Sequence, residues 1–180
     1  AESKIPYAIS TLRNEFSDDE RWLVYASEQA QLKELKERIE EENIAKLVLM
    51  YTSEMRRDDK NEQLKAFKKI GGILLSINCL DEGIDIPKVD KALILSSSTN
   101  PRQHIQRRGR VLRTAGREKI NAEIFDVLVA PDPDNAASVI TGEFERAKGF
   151  AEGAYNRANA LRKLKEWDPA FEENNEEFEE

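Results

Sequence analysis

Ile73-Leu74-Leu75-Ser76-Ile77-Asn78-Cys79-Leu80-Asp81-Glu82-Gly83-Ile84-Asp85-Ile86-Pro87 changes character in its middle. Its first five residues form a short apolar run that reads as a strand buried on both faces. The remainder is a turn leaving that strand. Gly83 there lets backbone approach a ligand closely, and Asp85 can accept hydrogen bonds from hydroxyl or guanidinium groups.

Working outward, the same kind of run recurs. Trp22–Ala26, Lys46–Tyr51, Ala92–Leu95 and Glu123–Val129 read as further strands. Helical spacing separates them: Ile5, Ile9, Leu12 and Phe16; then Ala30, Leu32, Leu35 and Ile39 behind Ser27 as a cap; then Leu64 and Phe67 within Asp58–Lys69. Pro101 suits the first turn of a helix running to about Gly109. Continuous apolar strands alternating with helices predict an α/β fold, a parallel sheet with helices on both faces. In such sheets ligands lie beyond the carboxyl ends of the strands. That places Ser27, Thr52, Asn78–Asp85 and Ser96–Asn100 on the working edge.

Asn135 is placed to cap one long final helix, Ala136–Trp167, with an Ala-rich stripe that includes Phe144, Ala147, Phe150, Ala151, Ala154, Ala158, Leu161 and Leu164. Beyond it the chain is acidic and expected to be disordered. The domain expectation is therefore a core over residues 1–134, a helical extension over 135–167 and a tail over 168–180.

The formal net charge of -7 misdescribes the folded part. Residues 166–180 hold eight carboxylates and no Lys or Arg, which leaves residues 1–165 near neutral. Within them, Arg102, Arg107, Arg108, Arg110, Arg113, Arg117 and Lys119 are opposed only by Glu118 between positions 102 and 119. Such a cluster, rather than the global balance, marks contact with nucleic acid. No apolar run approaches the ~20 residues of a membrane span, and no signal-like N-terminus is present. A lone Cys79 fits a reducing, cytoplasmic setting. His104 is the only histidine, with no Cys or second His near it, so no metal site is expected.

If Gln106-Arg107-Arg108-Gly109-Arg110-Val111-Leu112-Arg113 is helical, Gln106, Gly109, Arg110 and Arg113 share one face. Two guanidiniums on a rigid face suit phosphate oxygens.

These two pieces resemble motifs V and VI of superfamily 2 helicases. Gln106-x-x-Gly109-Arg110-x-x-Arg113 matches Q-x-x-G-R-x-x-R at every fixed position. The company it resembles is the DEAD/DEAH-box and type III restriction res-subunit helicases, together with DNA-repair helicases carrying the same motif. The resemblance runs from about Arg21 to Pro131. Trp22–Ser27 looks like motif IV, and Lys60–Phe67 sits where the family has R-E-x-x-L-x-x-F. Lys60 stands for the Arg, so a phosphate contact there would be monodentate.

The resemblance implies a RecA-like C-terminal lobe. Arg110 and Arg113 would reach the γ-phosphate of ATP held, with Mg²⁺, by an N-terminal RecA-like lobe of the same parent chain. Gly83, Asp85, Gln106 and Gly109 would line the nucleotide. Thr52, Ser76, Asn78, Arg107 and Arg108 would lie near the phosphate backbone of a nucleic acid, DNA rather than RNA on the forms Asp81-Glu82-Gly83 and Gln106-Arg107-Arg108. No G-x-x-x-x-G-K-[ST] occurs. Starting at Ala1, the chain reads as a piece of a longer one and is expected to be inactive alone. Asp81-Glu82 is not a Walker B pair, because nothing of that cradle precedes it. The rival reading is a non-catalytic module that binds nucleic acid through residues 102–119 and a partner protein through the final helix.

Overall fold

A computed structural model of the chain describes residues 4–77, 89–95, 123–128 and 137–167. The elements are α1 (Ile5–Glu15), β1 (Arg21–Ala26), α2 (Gln29–Glu41), β2 (Val48–Tyr51), α3 (Arg57–Ile70), β3 (Gly72–Ile77), β4 (Lys91–Ile94), β5 (Glu123–Asp126), α4 (Ala137–Glu152) and α5 (Arg157–Trp167). The sheet with α1–α3 belongs to one compact unit, and α4 with α5 to a second.

The five strands lie in the order β2-β3-β1-β4-β5, and every pairing is parallel. Strand alternation sends Trp22, Val24, Ala26, Ile73, Leu75, Leu93 and Leu95 to one face. There they pack with Ile5, Ala8, Ile9 and Leu12 of α1 and with Leu32, Leu35 and Ile39 of α2. Leu23, Leu49, Tyr51 and Leu74 go to the other face, with Phe67 of α3 and Val89. The parallel sheet covered on both faces, expected from the apolar runs, is thus present.

Each helix buries a stripe at helical spacing. In α1 the stripe is Ile5, Ala8, Ile9 and Leu12, and Pro6 sits in the first turn, where its missing N–H breaks no intrahelical bond. At α2 the expected cap is corrected. Glu28, not Ser27, occupies the N-cap position, and its side chain makes no cap bond. Instead the Ser27 backbone N–H (3.0 Å) and hydroxyl (3.2 Å) both donate to Gln31 Oε1. Gln31 is consequently buried, while Ala30, expected on the core face, is exposed.

The expected single final helix is also corrected. Residues 153–156 interrupt it, and α4 and α5 pack on each other. Gly153 is a poor helix continuer. The Asn156 carbonyl accepts from Ala160 N (3.1 Å), the N-cap position of a new helix. Phe144, Ala147, Phe150, Ala151, Leu161 and Leu164 are buried, whereas Ala158 is exposed. β5 is shorter than read, ending at Asp126, though Val127 N still donates to Ile94 O (3.0 Å). The helix expected from Pro101, the Asn135 cap and the acidic tail lie outside the described residues.

Candidate nucleotide and nucleic-acid edge

The parallel register aligns one row across the sheet near its carboxyl end: Tyr51, Ser76, Tyr25, Ile94 and Asp126. Ser27 and Thr52 leave the sheet just past this row. β3 ends at Ile77 and β4 at Ile94 on the same edge. Strand direction alone therefore gathers there the exits that the sequence singled out.

The loop from β2 to α3 is held by local bonds. The Met55 N–H donates to Thr52 O (3.3 Å). Lys60 Nζ donates to Ser53 O (3.3 Å) and stands 5.5 Å from the centre of the Tyr51 ring, a cation–π arrangement. Lys60 is thus engaged with the end of β2. Gln29 Nε2 donates to Glu54 Oε2 (2.7 Å), joining the start of α2 to this loop.

The start of α3 presents charge. Arg56 donates from Nε to Asp59 Oδ2 (2.9 Å) and from Nη2 to Oδ1 (3.1 Å), a bidentate pair. The hydrogen bond with Asp59 raises the Arg56 value above its ordinary one, and the hydrogen bond from Arg56 holds the Asp59 carboxyl below the usual carboxylate range. The Arg56 side chain is 85% exposed, and Arg57 beside it is exposed too. Sequence reading passed over these two arginines. Their signal was available: two cations just before Asp58-Asp59 at a helix start.

Of the expected site residues, Thr52 and Ser76 lie within the described residues, on neighbouring strand ends. Both are enclosed, Thr52 at 5% exposure and Ser76 at 0%. The Ser76 hydroxyl and Gln63 Oε1 are buried without a hydrogen-bond partner. Unmet buried polar groups cost about 1–3 kcal/mol each, so such groups call for an explanation. Asn78, Gly83, Asp85, Gln106, Arg107, Arg108, Gly109, Arg110 and Arg113 lie outside the described residues. Among the described residues no group of three His, Cys, Asp or Glu side chains comes together to hold a metal ion. No described helix is long and apolar enough to cross a membrane.

The sequence profile of the helicase conserved C-terminal domain matches residues 4–115. A putative ATP-dependent RNA helicase of Methanocaldococcus jannaschii is 37% identical over 62 residues, 34% of this chain and only 8% of that protein. A solved structure of the E. coli DEAD-box protein SrmB bound to regulator of ribonuclease activity A aligns at TM-score 0.53 and 22% identity, covering 69% of this chain and 71% of that chain. The C-terminal domain of the DEAD-box protein Dbp5 aligns at TM-score 0.57 and 16% identity, over 96% of this chain and 82% of that one. Domain 2 of the DEAD-box helicase Mss116p, bound to an RNA duplex, aligns at TM-score 0.59 and 14% identity, over 91% and 74%. At these identities the structural likeness is one of fold, and the fold is that of RecA-like helicase C-terminal domains.

Proposed function

This chain belongs to the helicase conserved C-terminal domain family, and from that premise we propose that it is the C-terminal motor lobe of an ATP-dependent superfamily 2 helicase or translocase. The observation that carries the reading is the complete Gln106-x-x-Gly109-Arg110-x-x-Arg113 spacing inside the matched region. Binding alone does not require that spacing. Two guanidiniums three residues apart do suit the spread charge of a transferring phosphoryl group.

In this reading Arg110 and Arg113 stabilise charge that develops at the γ-phosphate. Gly83 lets backbone come close to the nucleotide, Asp85 and Gln106 accept and donate hydrogen bonds around it, and Gly109 adds no side chain beside the fingers. ATP and Mg²⁺ would be held by an N-terminal lobe with its own phosphate cradle, where the metal would supply positive charge to offset the phosphates. Nucleotide binding draws the lobes together and hydrolysis releases them, which moves a strand along the edge.

The strand lies on the carboxyl edge of the sheet. Asn78, Arg107 and Arg108 address its phosphates, and Arg56 and Arg57 extend the same cationic track. Thr52 supports that edge from within. Phosphodiester contacts carry no sequence information and serve either sugar. The forms Asp81-Glu82-Gly83 and Gln106-Arg107-Arg108 support DNA. The RNA helicase relative and the RNA-bound neighbour support RNA. Strands of one length and sequence, differing only in sugar, separate the two by their stimulation of ATP hydrolysis. A cytoplasmic setting belongs to the same reading.

The test is Arg113→Ala in the two-lobe enzyme. Nucleic-acid-stimulated ATP hydrolysis is expected to fall by about 10³-fold or more. Stimulated hydrolysis that stays at the wild-type level removes the finger assignment.

A further inference from the structure

Ser76 and Gln63 carry unmet needs that fit each other. The Ser76 hydroxyl can donate or accept, and a carboxamide offers it an acceptor at one end and donors at the other. The Ser76 hydroxyl and the Gln63 Oε1 are buried, and neither atom has a hydrogen-bond partner in this structure.

Their heights in the fold agree. Phe67 of α3 and Leu74 of β3 share one core cluster, with Leu64 packed against it. A helix linking parallel neighbours runs back against the strands, so its earlier residues lie nearer their carboxyl ends. Gln63 is four residues before Phe67, roughly 6 Å along the helix. Ser76 is two residues past Leu74, roughly 6.6 Å along the strand. Gln63 therefore lies level with Ser76 on the α3 face of the sheet. Lys60, one further turn along, already holds the end of β2 through Ser53 O and the Tyr51 ring. Tyr51 and Ser76 are register partners. One face of α3 thus addresses the ends of both neighbouring strands, fastened at β2 and unfastened at β3.

We propose that Ser76 and Gln63 are a positioning pair for nucleic-acid engagement: when a strand loads on the carboxyl edge, the Ser76 hydroxyl and the Gln63 carboxamide join in a hydrogen bond that holds the end of β3 against α3. The pair acts through the strand end and does not touch the ligand. The several side-chain torsions of Gln63 let its carboxamide swing between staggered positions without moving the helix. This inference rests on the motor-lobe reading above.

A double-mutant cycle in the two-lobe enzyme tests it, with Ser76→Ala, Gln63→Ala and the combination. Two quantities are read: the melting temperature, and the nucleic-acid concentration that gives half-maximal stimulation of ATP hydrolysis. Each single change is expected to raise that concentration about threefold to tenfold, with the double variant no worse than the worse single. Ser76→Ala is expected not to lower the melting temperature, because it removes an unmet buried hydroxyl. Ser76→Thr, which keeps the hydroxyl, is expected to return the half-saturating concentration to within about twofold of wild type. Unchanged half-saturation in either single variant, or effects that multiply, would overturn the pair. So would a melting temperature that falls in step with affinity, which marks Ser76 as ordinary core. Wild-type enzyme whose hydrolysis is not stimulated by nucleic acid would fail the motor-lobe reading itself, and the pair's role with it.

Discussion

Gly72 leaves no room for a side chain. Its φ is +98°, and a Cβ there would meet Leu47 O at 2.4 Å. Its N–H donates to Glu20 O (2.9 Å). With Gly71 (φ +86°) as the single residue between them, the chain stops α3 at Ile70 and enters β3 at Gly72. Gly72→Ala is expected to destabilise the protein by about 2 kcal/mol or more, from positive φ and a backbone clash together. Chemical denaturation checks this, and a midpoint equal to wild type would contradict it. At the same edge Trp22 is stacked on Phe125, with centroids 5.3 Å apart and planes at 17°, and Lys91 Nζ stands 5.3 Å from the Trp22 ring. None of this was legible in the sequence at residue level. Periodicity identified Trp22 as buried, but ring partners depend on which strands become neighbours. Ser76 could be read two ways, as part of a buried strand and as a hydroxyl near the phosphate backbone, and its complete burial shows the first.

Element α3 shows how charge at a helix start works in this lobe. Asp58 and Asp59 occupy the first turn, where carboxylates complement the helix dipole. The Arg56 bond holds the Asp59 carboxyl below its ordinary value. A depressed carboxyl contributes stability that is present above its unfolded value, about 3.9, and that is lost as pH falls through the lower folded value. Asp59→Asn is therefore expected to melt below wild type at neutral pH, with the gap closing as pH falls below the ordinary carboxylate value. A gap that is the same across that range would contradict the pairing. The Asp59 side chain is partly exposed and its Arg56 partner is largely exposed, so the effect is expected to be small. The existence of α1, α2 and α3 was legible because their apolar stripes recur at helical spacing. Their ends were less so. Gln31 took the bonding role read for Ser27, and Gly153 and Asn156 split a helix whose stripe continues across the break. The stripe reports a face, and it cannot report a turn that leaves the face apolar.

Across the whole molecule, parallel pairing decides where the working edge lies. Because β1 to β5 run the same way, the ends of all five strands meet on one side of the sheet. The apolar runs made this legible in the sequence, whereas the motif from Gln106 to Arg113 lies outside the described residues. The order β2-β3-β1-β4-β5 was not legible, because nothing in a run names its neighbour. Arg56 and Arg57 left a signal as two cations before Asp58-Asp59, but they join the proposed track only once β2 and α3 place them. On this account the 180-residue chain alone does not turn over ATP, since it holds finger residues and no phosphate cradle. Steady hydrolysis by the isolated chain, abolished by Arg113→Ala, would mean a complete site within it.

The most direct test isolates the chemical step. Single-turnover hydrolysis of prebound ATP is measured in the two-lobe enzyme with saturating nucleic acid, for wild type and Arg113→Ala. The account predicts a chemical step slower by about 10³- to 10⁵-fold, with ATP still bound. A chemical step that proceeds at the wild-type rate would contradict it.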